Sequence, residues 1–392
     1  PLCLVGSEMC IRDSPNGFQM DQWTGEISGT ATDLQEWSTH TIWANNTGGG
    51  DFTEVSFRVI DQPPNQITWE IQEIALPSNE SAVINPYYSG PTIGSWEVSP
   101  PLPSGLQLSD EGTIEGVPDS RTDWSEYTIW GNNSGGSSSS SIWIAVHDIL
   151  ADQNDLLSGM GQTNWGGWPS PILPIGEWAF PVAFSEGGYA SQIPVISASH
   201  VGKGKMLGYG HESWVYGSGG VEETAFSLGA IEWACGKNAD VGLAYGAGFE
   251  GFQDELESEG HTVHLSVSPE DLSGIDCLLD EFWNGHDDED NSAIISFLQD
   301  GGGLVMGGHA WYWSYSNTDV SHNYPGNKIA KTTGLFVSDA WGYNEVDMTD
   351  SPHELSRPRA AIEAIRANRI DGESLSIEDA MIADLTLSIC TG

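Results

Sequence analysis

The sequence predicts a multidomain chain: all-β sandwich repeats, then an α/β layered domain, then a short helical segment. Three observations predict it. The block Thr41–Gly49 (TIWANNTGG) returns as Thr128–Gly136 (TIWGNNSGG), an offset of 87 residues, and self-similarity at a fixed period marks repeated structural units. Each copy holds short runs of alternating polarity, such as Ile142-Trp143-Ile144-Ala145-Val146, separated by Gly, Asn and Ser turns, the pattern of half-buried strands. After Asp148 the texture changes to apolar runs alternating with helix-period segments, the pattern of βαβ units.

Composition bounds the function. The chain has 392 residues, enough for two to four domains at about 100–200 residues each. It carries 12 Lys and Arg against 56 Asp and Glu, a formal charge of −44. Such a chain repels phosphate instead of releasing counterions from it, which excludes nucleic acid and anionic membrane as partners. With 39% hydrophobic residues and 17 Trp it holds too much apolar mass for a disordered acidic polymer. No apolar run approaches the ~18 residues of a membrane span, so this portion is read as soluble. The acidity suits a secreted or surface protein in salty water, where carboxylates keep the surface hydrated.

Residues Cys3 to Ser14, CLVGSEMCIRDS, resemble the translated adapter read-through that prefixes open reading frames from metagenomic assemblies. Residues 1–14 are therefore set aside from fold reasoning. Cys235, Cys277 and Cys390 remain, too far apart and unpatterned to read as a disulfide framework or a zinc site.

Residues 62–148 form a full repeat and residues 15–61 a copy without its first strands. Gly25-x-Ile27-x-Gly29 matches Gly112-x-Ile114-x-Gly116 at the same offset, and Gly17-Phe18-Gln19-Met20 matches Gly105-Leu106-Gln107-Leu108 with a one-residue gap. Several short strands in ~87 residues fit a Greek-key β-sandwich. The run Leu102-Pro103-Ser104-Gly105-Leu106, then Gly112-Thr113-Ile114-Glu115-Gly116, then Tyr127-Thr128-Ile129 resembles the Ig-like, also called cadherin-like, repeats of prokaryotic surface proteins. Calcium is a candidate ligand of these repeats through Asp110, Glu111, Asp119 and Asp123. The spacing of a calcium loop is absent, however, and plain solvated acids are the favoured reading. Three sequons, at Asn45, Asn79 and Asn132, lend weak support to export.

Residues 149–345 read as the α/β domain. Val241–Tyr245, Thr262–Leu265, Ile275–Leu279 and Leu304–Met306 read as strands. Phe249, Phe252 and Leu256 make one helical stripe, and Asp290 is placed as the cap of a helix carrying Ile294, Ile295, Phe297 and Leu298. The tract Asp287–Asp290 complements the helix dipole instead of binding metal. This order of elements is flavodoxin-like, with a ligand crevice at the carboxyl ends of the strands. The blocks Lys203–Ser213, Gly302–Trp313 and Tyr324–Ile329 resemble one family. It is the class I glutamine-amidotransferase-like domain that precedes the catalytic domain in enhancin-like, mucin-degrading metallopeptidases and occurs in the TRP-channel-associated factors.

That resemblance implies a zinc peptidase domain with His-Glu-x-x-His downstream, but here His211-Glu212 is followed by Ser213, Trp214 and Val215. Amidotransferase chemistry needs a Cys on the strand-to-helix elbow. The elbow reads Gly307-Gly308-His309-Ala310-Trp311, which places His309 or Gly308 at that position. No catalytic residue is assigned. The candidate ligand-binding residues are His211, Glu212, Trp214, His309, Trp311, Trp313 and Asn327, aromatics and polar groups suited to a sugar face. For each taken singly, core packing outweighs ligand binding.

Residues 346–392 read as a helical linker cut short, with Arg357, Arg359, Arg366 and Arg369 on one helix and Ile377–Leu387 on a second. The sequence thus describes a non-catalytic secreted or surface fragment, and the resemblance implies that it is the accessory or targeting part of a glycoprotein-directed zinc metallopeptidase. Its rivals are a calcium- or glycan-dependent adhesion protein and an active hydrolase using His309 or Cys277.

Overall fold

The computed structural model describes residues 8–11, 16–187, 193–246, 249–348 and 352–391. The chain is mostly β-structure with some helices, and it divides into two compact units, Pro1–Asp148 and Ile149–Gly392.

In the first unit the 87-residue offset is a structural period. The long hairpin Gln35–Asn46/Gly49–Val59 is matched by Thr122–Asn133/Gly136–His147, each bulged at the equivalent place, Gln35/Ser38 and Thr122/Ser125. The short hairpins Phe18–Met20/Ile27–Gly29 and Leu106–Leu108/Ile114–Gly116 match likewise. Gly29 and Gly116 have φ of +139° and +138°, and a Cβ on either would run into the carbonyl oxygen of Gly17 or Gly105 across the hairpin. Only glycine closes that approach, which is why the Gly-x-Ile-x-Gly pattern is written twice.

In the second copy Glu73–Pro77 and Ser95–Ser99 flank the long hairpin to give a four-stranded sheet, and Ala82–Ile84 extends the short one to three strands. Ile114 from the smaller sheet and Ile129, Ile142 and Ile144 from the larger are fully buried in one core with Trp69, Leu76 and Tyr127. This is a sandwich-like arrangement. Asp110, Glu111, Asp119 and Asp123 are exposed, and Asp119 accepts a hydrogen bond from Ser104 Oγ at 2.9 Å.

The sequence reading sets residues 1–14 aside, yet Glu8–Ile11 pairs with the first long hairpin, Glu8 opposite Asn45 and Ile11 opposite Ile42. Ser95 opposite Asn132 and Val98 opposite Ile129 is the same register one period later. An open strand edge templates any β-competent segment, and Met-Cys-Ile is one. The rest of that segment lies outside the described residues.

In the second unit nine strands form one mixed sheet: β1 (Gln162–Asn164), β2 (Ala179–Gly187), β3 (Ile193–Val201), β4 (Gly204–Tyr209), β5 (Asp240–Ala244), β6 (Thr262–Val267), β7 (Cys277–Glu281), β8 (Gly303–Gly307) and β9 (Gly342–Asp347). Their order is β1-β9-β2-β3-β4-β8-β7-β5-β6, parallel from β4 to β6 and antiparallel before it. Helix α1 (Val221–Cys235) links β4 to β5, α2 (Gln253–Ser258) links β5 to β6, and α3 (Asp288–Gln299) links β7 to β8. Along the strands the apolar run is continuous because both faces are covered. Met206, Leu278, Leu304 and Met306 join a core with Ile294 and Leu298 of α3, while Leu207, Leu279 and Val305 join another with Phe226 and Ile231 of α1 and Leu256 of α2.

Three details differ from the sequence reading. The parallel strands run β6-β5-β7-β8, and the place beside β8 is held by β4, which precedes all four in the chain. Helix α3 is capped by Asp287, not Asp290: its carboxylate accepts the N–H groups of Glu289 and Asp290, each at 2.9 Å. Cys235 and Cys277, unpatterned in sequence, form a disulfide, because the end of α1 is brought beside the start of β7. Beyond the sheet, helices Pro358–Arg366 and Ile377–Thr391 flank the turn at Gly372, whose φ is +74°.

Candidate functional site

Strands β4, β8 and β7 are neighbours, and their carboxyl ends are level: Gly307 of β8 lies opposite Tyr209 on one side and Glu281 on the other. The residues that follow therefore meet. They are His211 and Glu212 after β4, Gly308 and His309 after β8, and Phe282 and Trp283 after β7. Gly307 lets this happen, since a Cβ on it would stand 2.7 Å from His211 O and 3.0 Å from Glu212 Cα. His309 is extended (φ −121°, ψ 113°) and precedes the short helix Ala310–Ser314.

Glu212 Oε2 is the hub. It accepts from His309 Nδ1 at 2.7 Å and from Trp283 Nε1 at 3.1 Å, and His211 Nδ1 lies 3.5 Å away. The rings of His211 and His309 stack at 4.4 Å and 17°. Burial pushes the Glu212 carboxyl up, but the His309 hydrogen bond and the two imidazoles overcome it and bring the group down to about 2. Burial is also the largest influence on His211, lowering it to about 4 against the opposing pull of Glu212. At neutral pH the site thus holds a carboxylate beside a neutral imidazole. An ionised carboxylate only accepts, so His309 Nδ1 donates the hydrogen bond to Glu212. His211 Nδ1 accepts from Ser213 N–H at 3.2 Å. The Tyr324 hydroxyl is buried beside Gly308 without a hydrogen-bond partner. Burial, then the charges of Glu212 and Glu281, raise it well above its ordinary value.

Outside this polar centre is an aromatic rim. Trp311 lies 5.2 Å from His309 by ring centroid and donates its Nε1–H to Trp168 O at 2.7 Å. Trp168 stacks on Trp341 at 5.5 Å, and Tyr312 and Tyr315 flank Trp311. Trp168, Tyr312 and Tyr315 are 54%, 59% and 76% exposed, unusual for such large apolar groups in one patch.

Of the residues singled out in the sequence, His211, Glu212, His309 and Trp311 come together here. Trp214 is fully buried, donating to Gly166 O at 2.9 Å. Trp313 packs on Tyr324 in the core below, and Asn327 is 2% exposed and bonded to Val320 O and Val337 O. Trp214 meets the crevice only through its ring contact with His211, centroids 6.4 Å apart, while Trp313 and Asn327 pack into the core. Trp283, Tyr324, Trp168, Trp341 and Tyr312 are site residues the sequence reading missed. Trp283 escaped notice because the strand before it was read as ending at Leu279, two residues short of its end at Glu281.

Neither Gly308 nor His309 supplies a nucleophile at the elbow. The rival reading that gave this role to Cys277 is overturned by its disulfide with Cys235, which leaves no thiol to ionise. Among the described residues the group of three or more His, Cys, Asp or Glu able to hold a metal ion is His211, Glu212 and His309, with ligand atoms all within 4.8 Å of one another.

Comparison with known proteins bears on this unit. The "TRPM8 channel-associated factor homolog" of Xenopus laevis is 31% identical over 198 residues, which is 50% of this chain and 20% of that protein. "TRPM8 channel-associated factor 2" of Homo sapiens is 31% identical over 189 residues, 46% of this chain and 19% of that one. The chain thus spans about a fifth of the length of the curated relatives it matches. Among solved structures, IMPa from Pseudomonas aeruginosa in complex with an O-glycopeptide aligns at a TM-score of 0.40 and 14% identity, covering 61% of this chain and 26% of that one. Residues 136–348, more than half of the sequence, match the family TCAF_N, described as "TRPM8, N-terminal domain", and the chain belongs to that family.

Proposed function

We propose that the second unit is a non-catalytic glycan-binding domain, and that the chain is the accessory part of a glycoprotein-directed zinc metallopeptidase whose catalytic domain lies elsewhere in the full protein. One observation carries the binding role: the aromatic rim of exposed Trp168, Tyr312 and Tyr315 and half-buried Trp311 runs directly into the Glu212–His309 pair. Sugar C–H faces stack on aromatic rings while hydroxyls take acceptors and donors such as these. The net charge of −44 disfavours sialylated or sulfated chains, so the ligand class is neutral glycans. The vertebrate relatives are named for association with a channel, a binding role, which fits a region that works without a nucleophile.

In this reading the second unit is a flavodoxin-like, class I glutamine-amidotransferase-like fold that has lost its catalytic Cys, and the repeats are Ig-like spacers. The Cys235–Cys277 disulfide supports an oxidising, extracellular setting. Isothermal titration of the chain with neutral mucin-type O-glycans tests the proposal. Binding that falls about 3–10-fold in Trp311→Ala supports it, as expected for the loss of one stacking contact of about 0.5–1.5 kcal/mol. Absence of binding across a neutral glycan panel overturns it.

A further inference from the structure

We propose that His211, Glu212 and His309 form a mononuclear zinc site of three protein ligands with the fourth position left to water. The site shares Glu212 and His309 with the proposed glycan face, but zinc binding and glycan binding are read by separate titrations, so either can fail alone.

The donor set is the first argument. Two imidazoles and one carboxylate are the ligands of open zinc sites, which keep three protein donors and one exchangeable position. Imidazole also selects zinc and its neighbours over calcium or magnesium, which take oxygen.

Spacing is the second. A tetrahedron with bonds of about 2.05 Å has edges of about 3.3 Å. The two edges that share Glu212 Oε2, to His309 Nδ1 at 2.7 Å and to His211 Nδ1 at 3.5 Å, bracket that value. All three donors lie within 4.8 Å of one another. Small rotations convert a hydrogen-bonded cluster into a coordinating one: the His309 proton moves from Nδ1 to Nε2, and His211 Nδ1 exchanges its contacts to Ser213 N–H at 3.2 Å and Ser213 Oγ at 3.0 Å for the metal.

The surroundings are the third. His211 and Glu212 follow β4 and His309 follows β8, two rigid neighbouring strands, and His211 and His309 keep side-chain exposures of only 16% and 10%. Trp283 Nε1–H holds the Glu212 oxygen from outside, the kind of second contact that orients a ligating carboxylate.

The test uses the full chain, stripped with chelator and titrated with Zn²⁺ by calorimetry, then with Co²⁺ followed by visible absorption. One equivalent of zinc and an intense tetrahedral cobalt spectrum are expected. Both should be lost, or weakened at least 10-fold, in Glu212→Gln and in His309→Gln, and retained in His322→Gln, whose exposed ring pairs with Asp319. Near-UV circular dichroism checks that each variant is folded; if Glu212→Gln is not, His211→Gln replaces it. No stoichiometric zinc binding, or binding unchanged in folded ligand variants, overturns the proposal.

Discussion

Cys235, the last residue of α1, is disulfide-bonded to Cys277, the first residue of β7, across a sequence separation of 42. The bond encloses β5, α2 and β6, one edge of the sheet. Cross-linking a loop of this size restricts the unfolded chain and typically stabilises by about 2–4 kcal/mol. Reduction should therefore lower the melting temperature of the second unit. The Cys235→Ser/Cys277→Ser double variant should melt at that lower temperature with or without reductant. Equal melting of the wild type under both conditions would show that the bond does not form in solution.

Asn327 is a structural clamp. Its side chain donates to Val320 O and Val337 O at 3.1 and 3.0 Å and accepts Val337 N–H at 2.8 Å, all out of water. Asn327→Ala strands three buried backbone groups, each costing on the order of 1–3 kcal/mol. Urea denaturation should show a loss of at least about 2 kcal/mol, with glycan affinity following stability and not changing by itself.

Gly116→Ala places a methyl group where the Gly105 carbonyl already sits, at a φ of +138°. Strain of this kind costs about 1–3 kcal/mol. The first unit should unfold at lower denaturant while the second unit's transition stays put, and Gly29→Ala should behave alike. Separate tryptophan variants of the two units make the transitions readable.

His286 donates to Asp280 Oδ2 at 2.6 Å, with Asp290 3.6 Å from its other nitrogen. The Asp280 hydrogen bond raises its pKa against the opposing effect of burial, helped by the charges of Asp280 and Asp290. A folded-state pKa above the unfolded value of about 6.5 means the native state holds the proton more tightly. The contribution is complete below about pH 6.5 and is lost as pH rises through the raised value. Stability measured from pH 6 to 9 should decline at up to about 1.4 kcal/mol per pH unit, and His286→Gln should flatten that decline.

Trp168 separates binding from folding. More than half exposed, it stacks on Trp341 and accepts Trp311 Nε1–H only through its backbone oxygen. Trp168→Ala should change stability by less than about 0.5 kcal/mol, as surface substitutions do, while weakening neutral-glycan binding about 3–10-fold. A large stability loss would instead make the rim part of the core.

Where one local pattern decided the outcome, the sequence was readable. Phe249, Phe252 and Leu256 are all buried, as their spacing implies, although the first two lie on a 3-10 turn leading into α2 and only Leu256 on the helix itself, and Gly372 breaks the two terminal helices. The end of β7 was misjudged by two residues because Asp280 and Glu281 look like loop. Asp280 is nevertheless fully buried, accepting from Glu281 N–H, Asn284 and His286. Hydrogen bonds made by a loop onto a strand carboxylate leave no periodic trace. The disulfide and the Trp168–Trp311 contact join positions 42 and 143 residues apart, set by sheet order alone. Trp214 and Trp311 look equally apolar in sequence; what separates them is that one lies under the crevice and the other beside its mouth.

The two copies of the first unit share strand ends, bulge position and glycine torsions at a constant offset. The heritable module is thus a cassette of 87 residues carrying its own closure rules. In-frame duplication or deletion of such a cassette changes how many modules precede Ile149 without rewriting any contact inside a neighbouring one.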